Sequence, residues 1–523
     1  MASSRARQGV KRVLLGSAAG LTVVAGAQAA DLPVKKAVPV EYVRICSTHG
    51  AGFFYIPGTD TCLRVGGRAR FEATYTQPML RSSGDLTGYR GLGRLNLDAR
   101  TSTGYGTLRA FVRFELASRT GGFMTSGTQQ RAANAFAATG IDTAGRAQQY
   151  VNVDKAFIQF AGLTAGRAAS FFDFYAHDFE MMGLTTGSDV ASTNLLAYTA
   201  TFGQGFSATI SMEDPIFRKT PIFGNGGTTT ASAGYIAPTN LAPVLVGNGF
   251  ANVDVIQRSR LPDFVGALRY DAAWGSAQIS AAVHELNVGA FATNTLTVAR
   301  PPSEYGWAVQ GGVKVNLPFI AAGDALYLQG AYGEGTNLYT GASSYNGSWS
   351  QSGSPISGTI TGWYSDAILN PVSGKLELSK SFTVTAAYLH YWAPEWRSAF
   401  FGSYGESSFN KTARTNSALL NVGGLVNPVT ATAGLAAFAL SPVLRDTNQI
   451  VAGASLIWSP VRDLDIGVEG LYTRQALNSG RVLDPNKVQG VNLSTASAAT
   501  LATLPTVNAT DTFQVRMRVQ RDF

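Results

Sequence analysis

The chain has 523 residues, yet only 14% are charged while 58 are glycine, a pairing that argues against ordinary soluble packing. Its formal charge of +8 falls to +4 if residues 1–29 leave, because that stretch holds Arg5, Arg7, Lys11 and Arg12 and no acid, so no nucleic-acid partner is implied. Only two cysteines are present, and metal ligation by them would need further Cys or His nearby, where only His49 stands.

The four basic residues precede an apolar run from Val13 to Gly26 and the small-x-small triplet Ala27-Gln28-Ala29. That order predicts a cleaved signal peptide over residues 1–29, since the run is too short to span hydrocarbon. The mature chain is expected to start at Ala30. No later stretch carries about 18 uninterrupted apolar residues; the nearest, Leu419 to Leu440, is broken by Asn421, Gly423-Gly424 and Asn427-Pro428. In a secreted chain Cys46 and Cys62 predict one disulfide that ties an N-terminal segment, residues 30–61, to the main domain at 62–523. It would contribute about 3 kcal/mol in the loop-entropy picture. Two free buried thiols are the alternative.

From Cys62 the residues alternate, with Leu63, Val65, Ala69, Phe71, Ala73 and Tyr75 on one face and Arg64, Arg68, Arg70, Glu72 and Thr74 on the other. Tyr89 to Thr101 sets Arg90, Arg94, Asn96, Asp98 and Arg100 against Leu95, Leu97 and Ala99. Thr107 to Leu116 sets Arg109, Phe111, Arg113 and Glu115 against Leu108, Ala110, Val112 and Phe114. A soluble sandwich also alternates, but a membrane barrel points its apolar face at lipid and its polar face at a wet lumen.

Short turn followed by long loop then recurs down the chain. Val151 to Ala161 turns at Gly162-Leu163 into a strand ending near Arg167, and a parity shift between Val153 and Ala156 predicts a bulge. A long connection rich in aromatics and carboxylates follows: Phe171-Phe172-Asp173-Phe174-Tyr175, then Asp178, Glu180 and Asp189. The remaining strands are expected at Leu195 to Phe202, Phe206 to Glu213, Phe264 to Ala273, Ser276 to Leu286, Gly306 to Val315 and Ala325 to Tyr332. They continue through Gly362 to Leu369, Phe382 to Tyr391, Thr447 to Trp458 with a turn at Ser459-Pro460, Leu464 to Arg474 and the segment ending at Phe523. Sixteen strands result. Even number, short turns on one side and long loops on the other are the pattern of an all-β transmembrane antiparallel β-barrel. Tyr75, Tyr89, Trp274, Trp392, Trp458 and Tyr472 fall near strand ends, where interfacial girdles form.

Four stretches carry a family resemblance: Ala30-Asp31-Leu32-Pro33; Tyr42 to Gly67, with both cysteines around Gly52-Phe53-Phe54-Tyr55-Ile56-Pro57-Gly58-Thr59-Asp60; Ala156 to Tyr175; and the terminal Phe523. On these the chain resembles the alphaproteobacterial general porins, trimeric sixteen-stranded outer-membrane channels. The resemblance implies a passive channel for small hydrophilic solutes and ions in the Gram-negative outer membrane, surrounded by its lipids, with short periplasmic turns and long external loops. It also implies that the third external loop, Ala168 to about Asn194, folds into the lumen, and that Phe523 is the C-terminal assembly signal. Arg521, on the outward parity of the last strand, departs from the pattern.

A barrel of this size has a lumen too wide for side chains to fill, so something must narrow it. Asp173, Asp178, Glu180 and Asp189 of the inward loop are expected to face a basic wall of Arg64, Arg68, Arg70, Arg94, Arg109, Arg113, Arg516 and Arg518. A weak anion preference is expected, as are barrel contacts through the small outward residues Gly91, Gly93, Ala452 and Ala454. His284-Glu285 lacks the second His of a zinc-protease motif, Val288 standing in its place, and no nucleophile elbow or phosphate loop is found. No enzyme, cofactor or metal is expected. A substrate-selective channel, for anions or oligosaccharides, is the alternative reading, and an outer-membrane hydrolase a distant one.

Overall fold

The computed structural model describes residues 44–77, 86–121, 148–190, 192–220, 222–224, 253–254, 257–288, 302–342, 365–370, 372–421, 439–440, 444–484, 487 and 497–523. The expected signal peptide and the N-terminal segment up to residue 43 lie outside the described residues.

Alternation of apolar and polar side chains leaves an extended chain with one face for each solvent, and sixteen such strands form one antiparallel sheet. They are β1 (Cys62–Thr76), β2 (Thr87–Thr103), β3 (Gly106–Gly121), β4 (Gln148–Phe160), β5 (Leu163–Ala168), β6 (Thr193–Gly203), β7 (Phe206–Glu213) and β8 (Asp263–Ala272). The second half comprises β9 (Gly275–Leu286), β10 (Glu304–Asn316), β11 (Ala325–Glu334), β12 (Lys380–Ala393), β13 (Trp396–Ser408), β14 (Thr447–Val461), β15 (Leu464–Leu477) and β16 (Ala509–Asp522). β16 pairs back onto β1, with Arg68 opposite Asp522 and Thr76 opposite Gln514, so the sheet closes and no edge remains.

Side-chain parity follows the expected faces. Val65, Phe71, Leu116, Ile210, Ile279 and Val384 are exposed on the outside, and Glu72, Arg90, Gln278, Gln310 and Arg516 are buried inside. Tyr75, Tyr89, Trp274, Trp392 and Trp458 are exposed near strand ends, Tyr472 is exposed farther inside β15, and the Trp396 and Trp458 rings stack at 5.8 Å. In β4 the register slips opposite Arg113 and Phe114, leaving Asp154 unpaired; this bulge is the parity shift seen in the sequence. Cys46 and Cys62 are bridged, with Cα atoms 6.0 Å apart, and the short strand Phe54–Tyr55 pairs with the start of β1.

Three expectations are corrected. Ala367–Leu369 is not a barrel strand: it pairs with Leu376–Leu378 and, in parallel, with Ile222–Gly224, in a small sheet built by the β7–β8 and β11–β12 loops. All three of its residues are buried, Ala367 and Leu369 in a core with Ile222, Leu286 and Leu376, so an apolar triplet covered on both sides mimicked half a strand. The strand missed is β13. Its inward Ala399 and Phe401 pack against the inward loop, so both of its faces carry apolar side chains and the alternation vanishes. Finally, β14 runs through Ser459-Pro460 to Val461; the register is irregular between Trp458 and Val461, which accommodates a residue with no N–H to donate.

Candidate functional site

Residues 169–190, in the loop between β5 and β6, run inside the barrel. A buried loop must find partners for its backbone polar groups, and the polar inward residues of the far wall supply them. The Phe172 carbonyl accepts from Ser280 Oγ at 2.7 Å and Gln310 Nε2 at 2.8 Å. Tyr175 N donates to Gln329 Oε1 at 2.8 Å, and Thr186 N to Ser403 Oγ at 2.8 Å. At the tip, Met181 N and Met182 N donate to the two oxygens of Glu469, at 2.6 and 2.7 Å, while the Met181 carbonyl accepts from Arg516 and Arg518.

Apolar anchors complete the attachment. Phe172 is fully buried and meets Tyr339 of the β11–β12 loop edge-on at 4.9 Å. Phe174, Tyr175, Met182 and Leu184 form a core with Tyr327, Ala387, Phe401, Val451 and Leu471 of the wall. Gly312 is required beneath Phe174, because a Cβ there would run into that ring. The loop therefore covers the wall from β9 to β15 and touches β16, while at its return Ser192 Oγ donates to Asp154 of β4 at 2.7 Å; the side formed by β1 to β3 is left open.

Of the four loop carboxylates, only Asp178 is exposed, and it accepts from Tyr327 Oη at 2.9 Å. Asp173 is buried and held by Arg218 at 2.8 Å, Val190 N and Ser188. Glu180 is enclosed by its own loop, accepting from Tyr175 Oη at 3.0 Å, Leu184 N at 3.0 Å and Thr185 N at 3.2 Å, with His177 Nδ1 at 3.2 Å. Asp189 is buried, 3.9 Å from His177 Nε2. Burial opposes a charge on His177, but the adjacent Glu180 and Asp189 carboxylates outweigh it and push the imidazole up to about 9. Glu180 is held below the usual carboxylate range: burial works against its charge, and the imidazolium with the Thr185 donors overcomes it. These carboxylates shape the loop rather than face the opposite wall.

The arginines of that wall face one another and their own counter-ions. Arg68 pairs with Asp522, Arg94 with Glu115 and Arg109 with Asp98, the last at 2.9 and 3.0 Å. Arg113 donates to Asn96 at 2.9 Å and reaches Asp154 at 3.3 Å. Arg70 donates to Gln520 at 2.9 Å, and Arg64 is exposed at the short-turn end. Arg90, Arg516 and Arg518 converge on Glu72, which is fully buried. Phe523 lies on the outer face against Gly67, with backbone bonds of 2.9 and 3.1 Å between them.

Sequence reasoning missed Arg218, which carries the loop's root, and Glu469, which carries its tip. Neither belongs to a motif. Glu469 had one weak signal, an acid on the inward parity of β15 with no basic residue on that face of the strand.

The profile of the porin subfamily matches residues 31–500. The porin Omp2b of Brucella suis is 31% identical over 350 residues, covering 65% of this chain and 78% of its own length. Omp2b of Brucella canis is 32% identical over 352 residues, with the same coverage. Among solved structures, the outer-membrane channel DcaP of Acinetobacter baumannii superimposes with a TM-score of 0.51 at 15% identity, over 90% of this chain and 99% of that one.

Proposed function

The chain belongs to the porin subfamily and forms a passive diffusion channel of the Gram-negative outer membrane, and on that premise we propose that its lumen passes small hydrophilic solutes with a weak preference for anions. The observation that carries this is the grouping at the tip of the inward loop. There Arg70, Arg90, Arg516 and Arg518 gather around one carboxylate, Glu72, while Asp178 is the exposed carboxylate of the loop. Such a field acts only near the narrowest section, because screening at about 0.15 M salt limits its reach to roughly 8 Å.

Zero-current potentials across planar bilayers in a salt gradient test it. Replacing Arg68, Arg94 and Arg113 by serine leaves Asp522, Glu115 and Asp154 without their guanidinium partners, so the potential is expected to move toward cation preference. An unchanged potential would show that those side chains do not act on permeating ions.

Three barrels are further proposed to associate through the surface from β14 across the closure to β2. Gly91, Gly93, Ala452 and Ala454 are exposed there, and a Cβ at either glycine would meet only open space. Phe523, closing the last strand against Gly67, is proposed as the assembly signal.

A further inference from the structure

On the periplasmic side of the inward loop's root, against the inner faces of β3 to β9, lies a cavity of about 550 Å³. That is within the roughly 300–1,000 Å³ typical of small-molecule sites. Its residues do little to hold the loop tip, and the anion preference above makes no use of its shape.

One wall is aromatic. Phe157 of β4 and Phe171 of the loop are half-buried and border the cavity, as does the buried Phe111 of β3, which stacks on Phe157 at 5.3 Å. Cations stand at both ends of this wall. The Arg109 guanidinium lies 5.0 Å from the Phe111 ring centre and 5.4 Å from that of Phe157, held there by Asp98; Arg269, its Nε and Nη2 on Asp271 at 2.9 Å and its Nη1 making no bond to that carboxylate, lines the opposite end. Hydroxyls of Thr199 and Thr209, bonded to each other at 2.8 Å, and the amide of Gln159 line it between them. Among the described residues that line the cavity, Asp173 is the only carboxylate, and its oxygens are taken by Arg218, Ser188 and Val190 N.

The lining thus offers ring faces, guanidinium groups and donors. It offers no uncommitted carboxylate to accept from sugar hydroxyls or to hold a cation. A flat ring bearing one carboxylate matches every part of it: the ring lies against Phe157 and Phe171, and the carboxylate meets a guanidinium edge. We infer that this cavity is a transit subsite for small aromatic carboxylates. The inference deepens the anion-preferring reading and rests on it only for the sign of the charge.

Single-channel recording of the full-length protein in potassium chloride at pH 7 tests it, with sodium benzoate added on the periplasmic side. Benzoate is expected to reduce the open current in a saturable manner. Cyclohexanecarboxylate, equal in charge but lacking the flat ring, should need about three- to tenfold more, the equivalent of one aromatic contact. The double variant Phe157→Leu with Phe171→Leu keeps apolar bulk and should raise the half-blocking benzoate concentration by a similar factor. Its conductance and zero-current potential without benzoate should match the parent, which shows a folded channel. Benzoate acting no better than acetate, maltose blocking at lower concentration than benzoate, or a double variant blocked like the parent would each overturn the subsite. A parent channel that prefers cations yet is blocked by benzoate would overturn the preference and leave the subsite standing.

Discussion

Arg218 Nη2 donates to Asp173 Oδ1 at 2.8 Å, with the two side chains only 1% and 5% exposed, and so ties the β7–β8 loop to the root of the inward loop. The same guanidinium donates to Ser170 at 2.9 Å and to the Leu338 carbonyl at 3.2 Å, and lies 4.2 Å over Tyr339, which brings the β11–β12 loop into the joint. Three loops share one cation. Removing one partner of a buried pair leaves the other charge uncompensated, at a cost of about 3–5 kcal/mol. Arg218→Ala is therefore expected to lower the thermal unfolding midpoint in detergent and to make the open current noisier. Arg218→Met with Asp173→Asn should recover part of the loss. Equal midpoints for the parent and Arg218→Ala would show that the joint carries no stability.

His177 gives the inward loop a pH dependence of known sign. Its folded pKa, about 9, lies above the unfolded value near 6.5, so its contribution is fully present below about 6.5 and is lost as pH rises through 9. Glu180, held low, contributes above the ordinary glutamate range and loses that contribution as pH falls through its lowered value. Detergent-solubilised protein is expected to lose thermal stability between pH 7 and pH 10, by a few kcal/mol at most. His177→Gln should flatten that slope; parallel slopes for both proteins would dissociate His177 from the effect.

At the closure, a Cβ on Gly67 would collide with the Phe523 ring and the Arg94 carbonyl. Gly67→Val and Phe523→Ala should each reduce the yield of folded, heat-modifiable barrel on refolding into detergent. Because they act on one contact, the double variant should be no worse than the poorer single one. Additive losses would mean that the two residues act separately.

Chemical cross-linking of the purified protein is expected to give a trimer, and Gly93→Trp, which fills the open space on the outer face of β2, is expected to weaken it. Monomer alone from the parent would remove the association surface. An undiminished trimer from the variant would move it to another part of the barrel.

What the sequence by itself determined was everything that depends on local alternation between two solvents. Fifteen of the sixteen strands, the inward and outward faces of β1 to β3, the bulge in β4 and the bridged pair Cys46 and Cys62 were all legible, because each leaves its mark within a few residues of chain. The thirteenth strand was not, since the inward loop turns the lumen face of β13 into a hydrophobic core, and Ala367–Leu369, in a loop sheet buried on both sides, stood in its place. Tertiary structure alone decided the charge pattern. In sequence Arg68, Arg94, Arg109 and Arg113 stand as a basic stripe opposite an acidic loop. In the closed barrel each of them reaches a carboxylate of the same wall, such as Asp522, 454 positions from Arg68, and three of the loop's acids turn inward to hold its backbone, an imidazole and Arg218. A carboxylate's partner is set by a few ångströms of space, and closure of the sheet brings together residues whose separation along the chain carries no trace of that proximity.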